Sequence, residues 1–163
     1  MSQFLTLPNF NFTEHRQRIM SILDTVSAAW GWVGITPEKV IAENEFGNLI
    51  IKDLEGMFWR LCPEDLYCDV IADDDADYNE LVKDDEFNQD WFMDVMVQKS
   101  VAKYGALEDG FKFHMLEPGA LGGKYAVFNI KPMAFDKMIS FSGELAQKVH
   151  RAGDKKVNYK PLN

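Results

Sequence analysis

Glu45-Phe-Gly-Asn-Leu-Ile-Ile-Lys-Asp-Leu-Glu-Gly-Met-Phe-Trp-Arg-Leu61 carries the clearest strand signal in the chain. Its halves, Phe46–Lys52 and Met57–Leu61, are rich in β-branched and aromatic residues, which suit a pleated, half-buried surface. Asp53-Leu-Glu-Gly56 between them fits a tight turn, with Gly56 free to take a positive φ. A β-hairpin is expected. Cys62-Pro63-Glu64-Asp65 breaks the second strand, because proline has no N–H to give a ladder. Tyr67–Ala72 then reads as a third strand.

Working outward towards the N-terminus, Met1–Phe12 reads as an irregular lead. Thr13 is placed to cap a helix reaching about Trp30, with Ile19, Ile22, Leu23, Val26 and Trp30 on one face. Thr36-Pro37 reads as a cap and first-turn proline opening a short helix through Ala42. In the other direction, Asp77 to about Lys103 turns helical, as two helices broken near Asp84. Glu86, Asp90 and Asp94 form one stripe, and Phe87, Trp91 and Val95 an inward stripe beside it. Gly105 stops the helix. Phe111–Met115 reads as a fourth strand and Tyr125–Ile130 as a fifth. Pro132 separates that strand from a last helix, about Ala134–Arg151, whose inner face is Phe135, Met138, Ile139, Leu145 and Val149. Strands between helices, joined by hairpin-length connections, give an α+β fold: a mainly antiparallel sheet of about five strands flanked by helices. Residues 1–40 read as a helical lead, 41–150 as an α+β module forming one compact domain with it, and 151–163 as a polar tail.

The 163 residues, with 47% apolar and 13% aromatic content, are enough for one globular domain with a core. The lead lacks the basic start and apolar run of a signal peptide, and no window approaches a membrane-spanning length. A cytoplasmic protein is expected. Cys62 and Cys68, with no companion pair, do not make a zinc site and read as reduced thiols.

Charge is concentrated in Asp69–Asp94, where eleven acids face a single base, Lys83. That segment sums to −10 in a chain of net −9. Such a surface repels nucleic acid and anionic membranes, whose recognition draws on clustered Lys and Arg. It steers a basic protein partner, to which nearby aromatic residues offer desolvated anchors. Candidate partner-binding residues are therefore Asp73, Asp74, Asp75, Asp77, Tyr78, Glu80, Asp84, Asp85, Glu86 and Asp90. The plain alternative is a solvated charged face.

No catalytic motif emerges. Asp73, Asp75 and Asp77 match the start of a calcium loop and Asp84 its twelfth place, but Tyr78 stands where that loop needs glycine. Gly119–Lys124 approximates a phosphate loop but lacks its spacing and its hydroxyl after the lysine. His15, His114 and His150 fall on different elements, and neither cysteine is placed near a base. No cofactor, no metal and no enzymatic activity are expected.

Several stretches, taken in order, resemble a known family. They are Glu45-Phe-Gly-Asn48, Gly56-Met-Phe-Trp59-Arg-Leu-Cys62-Pro63-Glu64, Cys68-Asp-Val-Ile-Ala72, Phe87-Asn-Gln-Asp-Trp91, and Pro118-Gly-Ala-Leu121-Gly122-Gly123-Lys-Tyr125 followed by Asn129-Ile130. Their order and spacing are similar to the C-terminal module of bacterial type VI secretion immunity proteins, over roughly Ile41–Val149. Longer members carry a fuller N-terminal domain. The resemblance implies a non-enzymatic immunity protein that binds a cognate secreted toxin, such as a nuclease, and blocks its active site. The competing expectation is a small ligand-binding domain or enzyme with a pocket near the Gly119–Tyr125 loop and His114.

Overall fold

The computed structural model describes residues 11–163; of the expected irregular lead, Met1–Phe12, residues 1–10 lie outside the described residues, while Asn11 and Phe12 cap and begin the first helix. The expected hairpin forms, as β2 (Leu49–Asp53) and β3 (Phe58–Cys62). Its turn is built by Asp53, which is 1% exposed. Asp53 Oδ1 accepts from the Glu55 and Met57 amides, both at 2.9 Å, and Oδ2 accepts from Trp59 Nε1 at 2.8 Å. Gly56 takes the positive φ of 88° that the turn requires.

Two further strands complete a four-stranded antiparallel sheet in the order β1-β2-β3-β4, with β1 at Pro37–Glu43 and β4 at Tyr67–Ala72. The helix expected over Thr36–Ala42 is thus a strand. Pro37 sits at the first position of an edge strand, where its missing N–H costs no ladder bond. Two register shifts, between Pro37 and Lys39 and between Val40 and Ala42, disturb the two-residue alternation. The sequence pattern there is blurred as a result.

Helices cover both sheet faces. On one, α1 (Phe12–Trp30) and α5 (Phe135–Ala152) bury Ile22, Leu23, Val26, Trp30, Ile139 and Ala146 against Leu49, Ile51, Trp59, Leu61 and Cys68. The cap of α1 is Asn11 rather than Thr13: its Oδ1 accepts from the Thr13 and Glu14 amides at 3.0 and 3.3 Å. The two helices approach closely at Gly143, whose carbonyl accepts from Trp32 Nε1 at 3.3 Å. On the other face, Ile50, Phe58 and Ala72 pack with Trp91, Phe87 and Tyr78.

Three helices, not two, follow β4: α2 (Asp75–Leu81), α3 (Asp85–Phe92) and α4 (Asp94–Tyr104). The break near Asp84 is present. A second falls at Met93, whose φ of 48° redirects the chain. Trp91 therefore points inward as expected, but Val95 lies beyond the break and is 62% exposed. Gly105, with φ of 81°, ends α4.

The remaining strands, β5 (Phe111–Met115) and β6 (Ile130–Ala134), form a separate antiparallel pair on which α4 packs. The fifth strand is displaced from Tyr125–Ile130 because those residues bind the preceding loop. Asn129 Oδ1 accepts from the Glu117 amide at 2.9 Å, and its Nδ2 donates to the Glu117 and Lys124 carbonyls at 2.9 and 3.0 Å. Pro132 lies inside β6, opposite Phe113. The Phe113 amide donates away from β6, to the Glu45 carbonyl at 2.8 Å, so Phe113 and Pro132 form a non-hydrogen-bonded pair that asks no N–H of the proline. The last helix buries Phe135, Met138, Ile139 and Leu145 as expected, with Val149 half-buried. The described residues form a mixed α and β fold: the four-stranded sheet, the strand pair, and the helices packed on them.

Candidate functional site

Three short helices in succession have three N-termini; acids cap two of them and stand in the first turn of all three. Asp74 caps α2 by accepting from the Asp77 amide at 2.9 Å, and Asp84 caps α3 by accepting from the Phe87 amide at 2.8 Å. Asp75 and Asp77 occupy the first turn of α2, Asp85 and Glu86 that of α3, and Asp94 that of α4. There they face the positive end of each helix dipole. Part of the charge concentration thus has an architectural cause.

The ten candidate residues do not form one patch. Asp73, Asp77, Glu80 and Asp84 line a groove of about 510 Å3, with Val70, Ile71, Ala72 and Leu81 as its apolar walls. These acids are all exposed. Asp75 turns away to meet Lys52 at 2.9 Å. Tyr78 lies half-buried, its ring stacked on Phe58 at 4.2 Å between centroids. Glu80 also pairs with Lys83 at 2.8 Å, both groups being largely exposed. Asp85 and Glu86 sit exposed on α3, and Asp90 pairs with Arg60.

That last pair opens onto a buried polar hub. Arg60 donates through Nε and Nη2 to Asn48 Oδ1 at 3.1 and 3.0 Å. Asn48 Nδ2 donates to both oxygens of Glu64 at 2.9 and 2.8 Å. Burial pushes the Glu64 carboxyl above its ordinary range, opposed by Asn48 and other donors that favour the charged form. The Arg60 guanidinium lies 5.5 Å from the Trp91 ring centroid. Asn44 adds a bond from its Nδ2 to the Trp91 carbonyl at 2.8 Å. The hub ties α3 to the sheet. Sequence reasoning did not find it; the signal was an Arg and an Asn inside strongly apolar strand segments, where each needs partners.

The Gly119–Tyr125 loop packs on Asp65. A Cβ at Gly119 would collide with the Asp65 carboxylate, and the Tyr125 hydroxyl donates to Asp65 Oδ2 at 2.5 Å. His114 is 5% exposed and meets Phe141 edge to face. Burial alone lowers its imidazole from 6.5 to about 4. Such a base takes its proton more readily when unfolded. Its contribution is complete above pH 6.5 and is lost as pH falls towards 4, to the extent of roughly 3 kcal/mol. Denaturant titrations across that window should show this slope, and His114→Phe should flatten it.

Cys62 and Cys68 are both free and buried. Cys68 packs with Leu61 in the core beneath α1 and α5, whereas Cys62, next along β3, faces the other way. Burial raises both thiols, Cys68 to about 12 with a smaller push from Asp69, so neither is a thiolate at neutral pH. Among the described residues, no group of three or more His, Cys, Asp and Glu could hold a metal ion. Among them also, no helix is long and apolar enough to cross a membrane.

The segment bearing the groove acids is also the one that comparison with known families picks out. Residues 73–146 match the family described as T6SS immunity protein Tdi1, C-terminal. The likeness to type VI immunity proteins read from the motifs is therefore borne out. The matched span is shorter than Ile41–Val149: it begins at Asp73 and leaves the hairpin and the Asn48–Arg60–Glu64 hub ahead of it. All ten candidate residues lie within it. No curated protein matches the chain. A solved structure, the crystal structure of Atu4351 from Agrobacterium tumefaciens, shares the fold with a TM-score of 0.50 at 12% identity. The likeness covers 74% of this chain and 62% of that one.

Proposed function

We propose that this protein is an immunity protein that binds and neutralises a secreted bacterial toxin without performing a reaction itself. The match of residues 73–146 to the Tdi1 C-terminal family supports the class of function. The observation that carries the site is the groove in which Asp73, Asp77, Glu80 and Asp84 converge around apolar walls. A toxin acting on nucleic acid must hold phosphates and so presents a basic cleft. Acids along the rim of the groove would pair with the cations of such a cleft and block the approach of its substrate. The toxin's cytoplasmic substrate would place the protein in the same compartment.

Charge steering of this kind speeds association and weakens with salt. Asp74 and Asp84 are helix caps, so reversing them would confuse binding with folding. The informative variant is Asp73→Lys with Asp77→Lys and Glu80→Lys. It should slow association with the cognate toxin by at least tenfold at low salt, with unchanged circular dichroism. An unaltered rate would remove the groove from the contact. Failure of the unmutated protein to restore growth on co-expression with that toxin would remove the immunity reading.

A further inference from the structure

Resting on that reading for the nature of the partner, we propose that β4 receives an extended, basic segment of the toxin as an added fifth strand of the sheet. β4 is the terminal strand of the order β1-β2-β3-β4, so one of its sides has no neighbouring strand. The hydrogen-bond alternation identifies which main-chain groups face that side. The Asp53 amide bonds the Met57 carbonyl, which makes that a bonded pair; Ile51 with Trp59 and Leu49 with Leu61 follow two residues apart. Trp59 and Leu61 therefore direct their main-chain groups to β2. Arg60 and Cys62 direct theirs to β4, opposite Asp69 and Tyr67. Cys68 and Val70 are left with N–H and C=O turned away from β3; Cys68 is 3% exposed, so the accessible pairing groups are those of Val70.

The surroundings select the occupant. Val70 is 39% exposed, Asp69 is exposed, and the groove of Asp73, Asp77, Glu80 and Asp84 begins at Val70. A second copy of this chain would bring the same acids edge to edge and be repelled. A strand with Lys or Arg at alternate positions would place them on one face, about 6.8 Å apart, beside the acids. Main-chain bonding to Val70 then gives affinity, and the groove gives preference for positive side chains.

The probe is a blocked heptapeptide alternating Val and Lys, added to the full chain, with an N-methylated form that keeps the charge but cannot pair as a strand. The unmodified peptide should slow hydrogen exchange at the Val70 amide at least tenfold. N-methylation should weaken binding by a similar factor. Equal binding of the two peptides, binding without protection of this amide, or no binding at millimolar peptide would each overturn the proposal. In cells, Val70→Pro and Val70→Lys separate this inference from the function beneath it. If the unmutated protein rescues growth and both folded variants rescue equally well, strand addition is wrong and immunity stands. Loss of rescue by the folded Val70→Pro variant, which removes the amide donor without adding charge, supports strand addition.

Discussion

Asn48→Ala should lower stability by roughly 3–5 kcal/mol, because it strips partners from two buried ionisable groups at once. Asn48 is fully buried, and its amide joins the Arg60 guanidinium to the Glu64 carboxyl. Alanine leaves both facing apolar neighbours, with too little room freed for water to serve them all. Urea titration should show a reduced midpoint with an unchanged slope. A pH signature accompanies the loss. The Glu64 carboxyl is already raised above 4.5 by burial, so its contribution is complete below that value and declines as pH climbs through the folded pKa. Without the Asn48 amide favouring the charged form, that decline becomes larger. The variant should therefore suffer more at pH 8 than at pH 5. Trp91 fluorescence should shift as well, because Arg60 lies against that ring. A loss below about 1 kcal/mol would show the hub to be dispensable.

Gly143→Ala should cost about 2–3 kcal/mol although alanine is the better helix former. Helix propensity favours alanine by about 1 kcal/mol. Against this, the new methyl would lie 2.7 Å from both the carbonyl carbon and the Cβ of Ala29 in α1. Backbone cannot rotate aside as a side chain can. The helices must separate, and Val26, Trp30, Ile139 and Ala146 lose contact between them. A melting temperature reduced by roughly 5–10 °C is expected, and Gly143→Val should be worse. A neutral or stabilising alanine would contradict the close crossing of α1 and α5.

The fold was legible where local chemistry and tertiary packing agree. The Asp53–Gly56 turn, the strands beside it and the inner face of α5 all follow from residue type and spacing. It was illegible where a long-range contact decides. Thr36-Pro37 suits a helix start equally well, and only pairing with Asp53 makes Pro37 the first residue of a strand. Tyr125 and Asn129 have strand-forming neighbours, yet their side chains are committed to Asp65, Glu117 and Lys124. The acid concentration was visible at once. Its division into capping, paired and groove-lining members was not, since that depends on where three helices begin.

The division makes tolerance to change unequal along the acid run. A residue at 74 or 84 answers to an amide in its own helix, and a residue at 90 to a cation from the sheet interior. Positions 73 and 77 carry no such obligation through a side-chain bond, so a lineage meeting new adversaries could rewrite them while its scaffold stands unaltered.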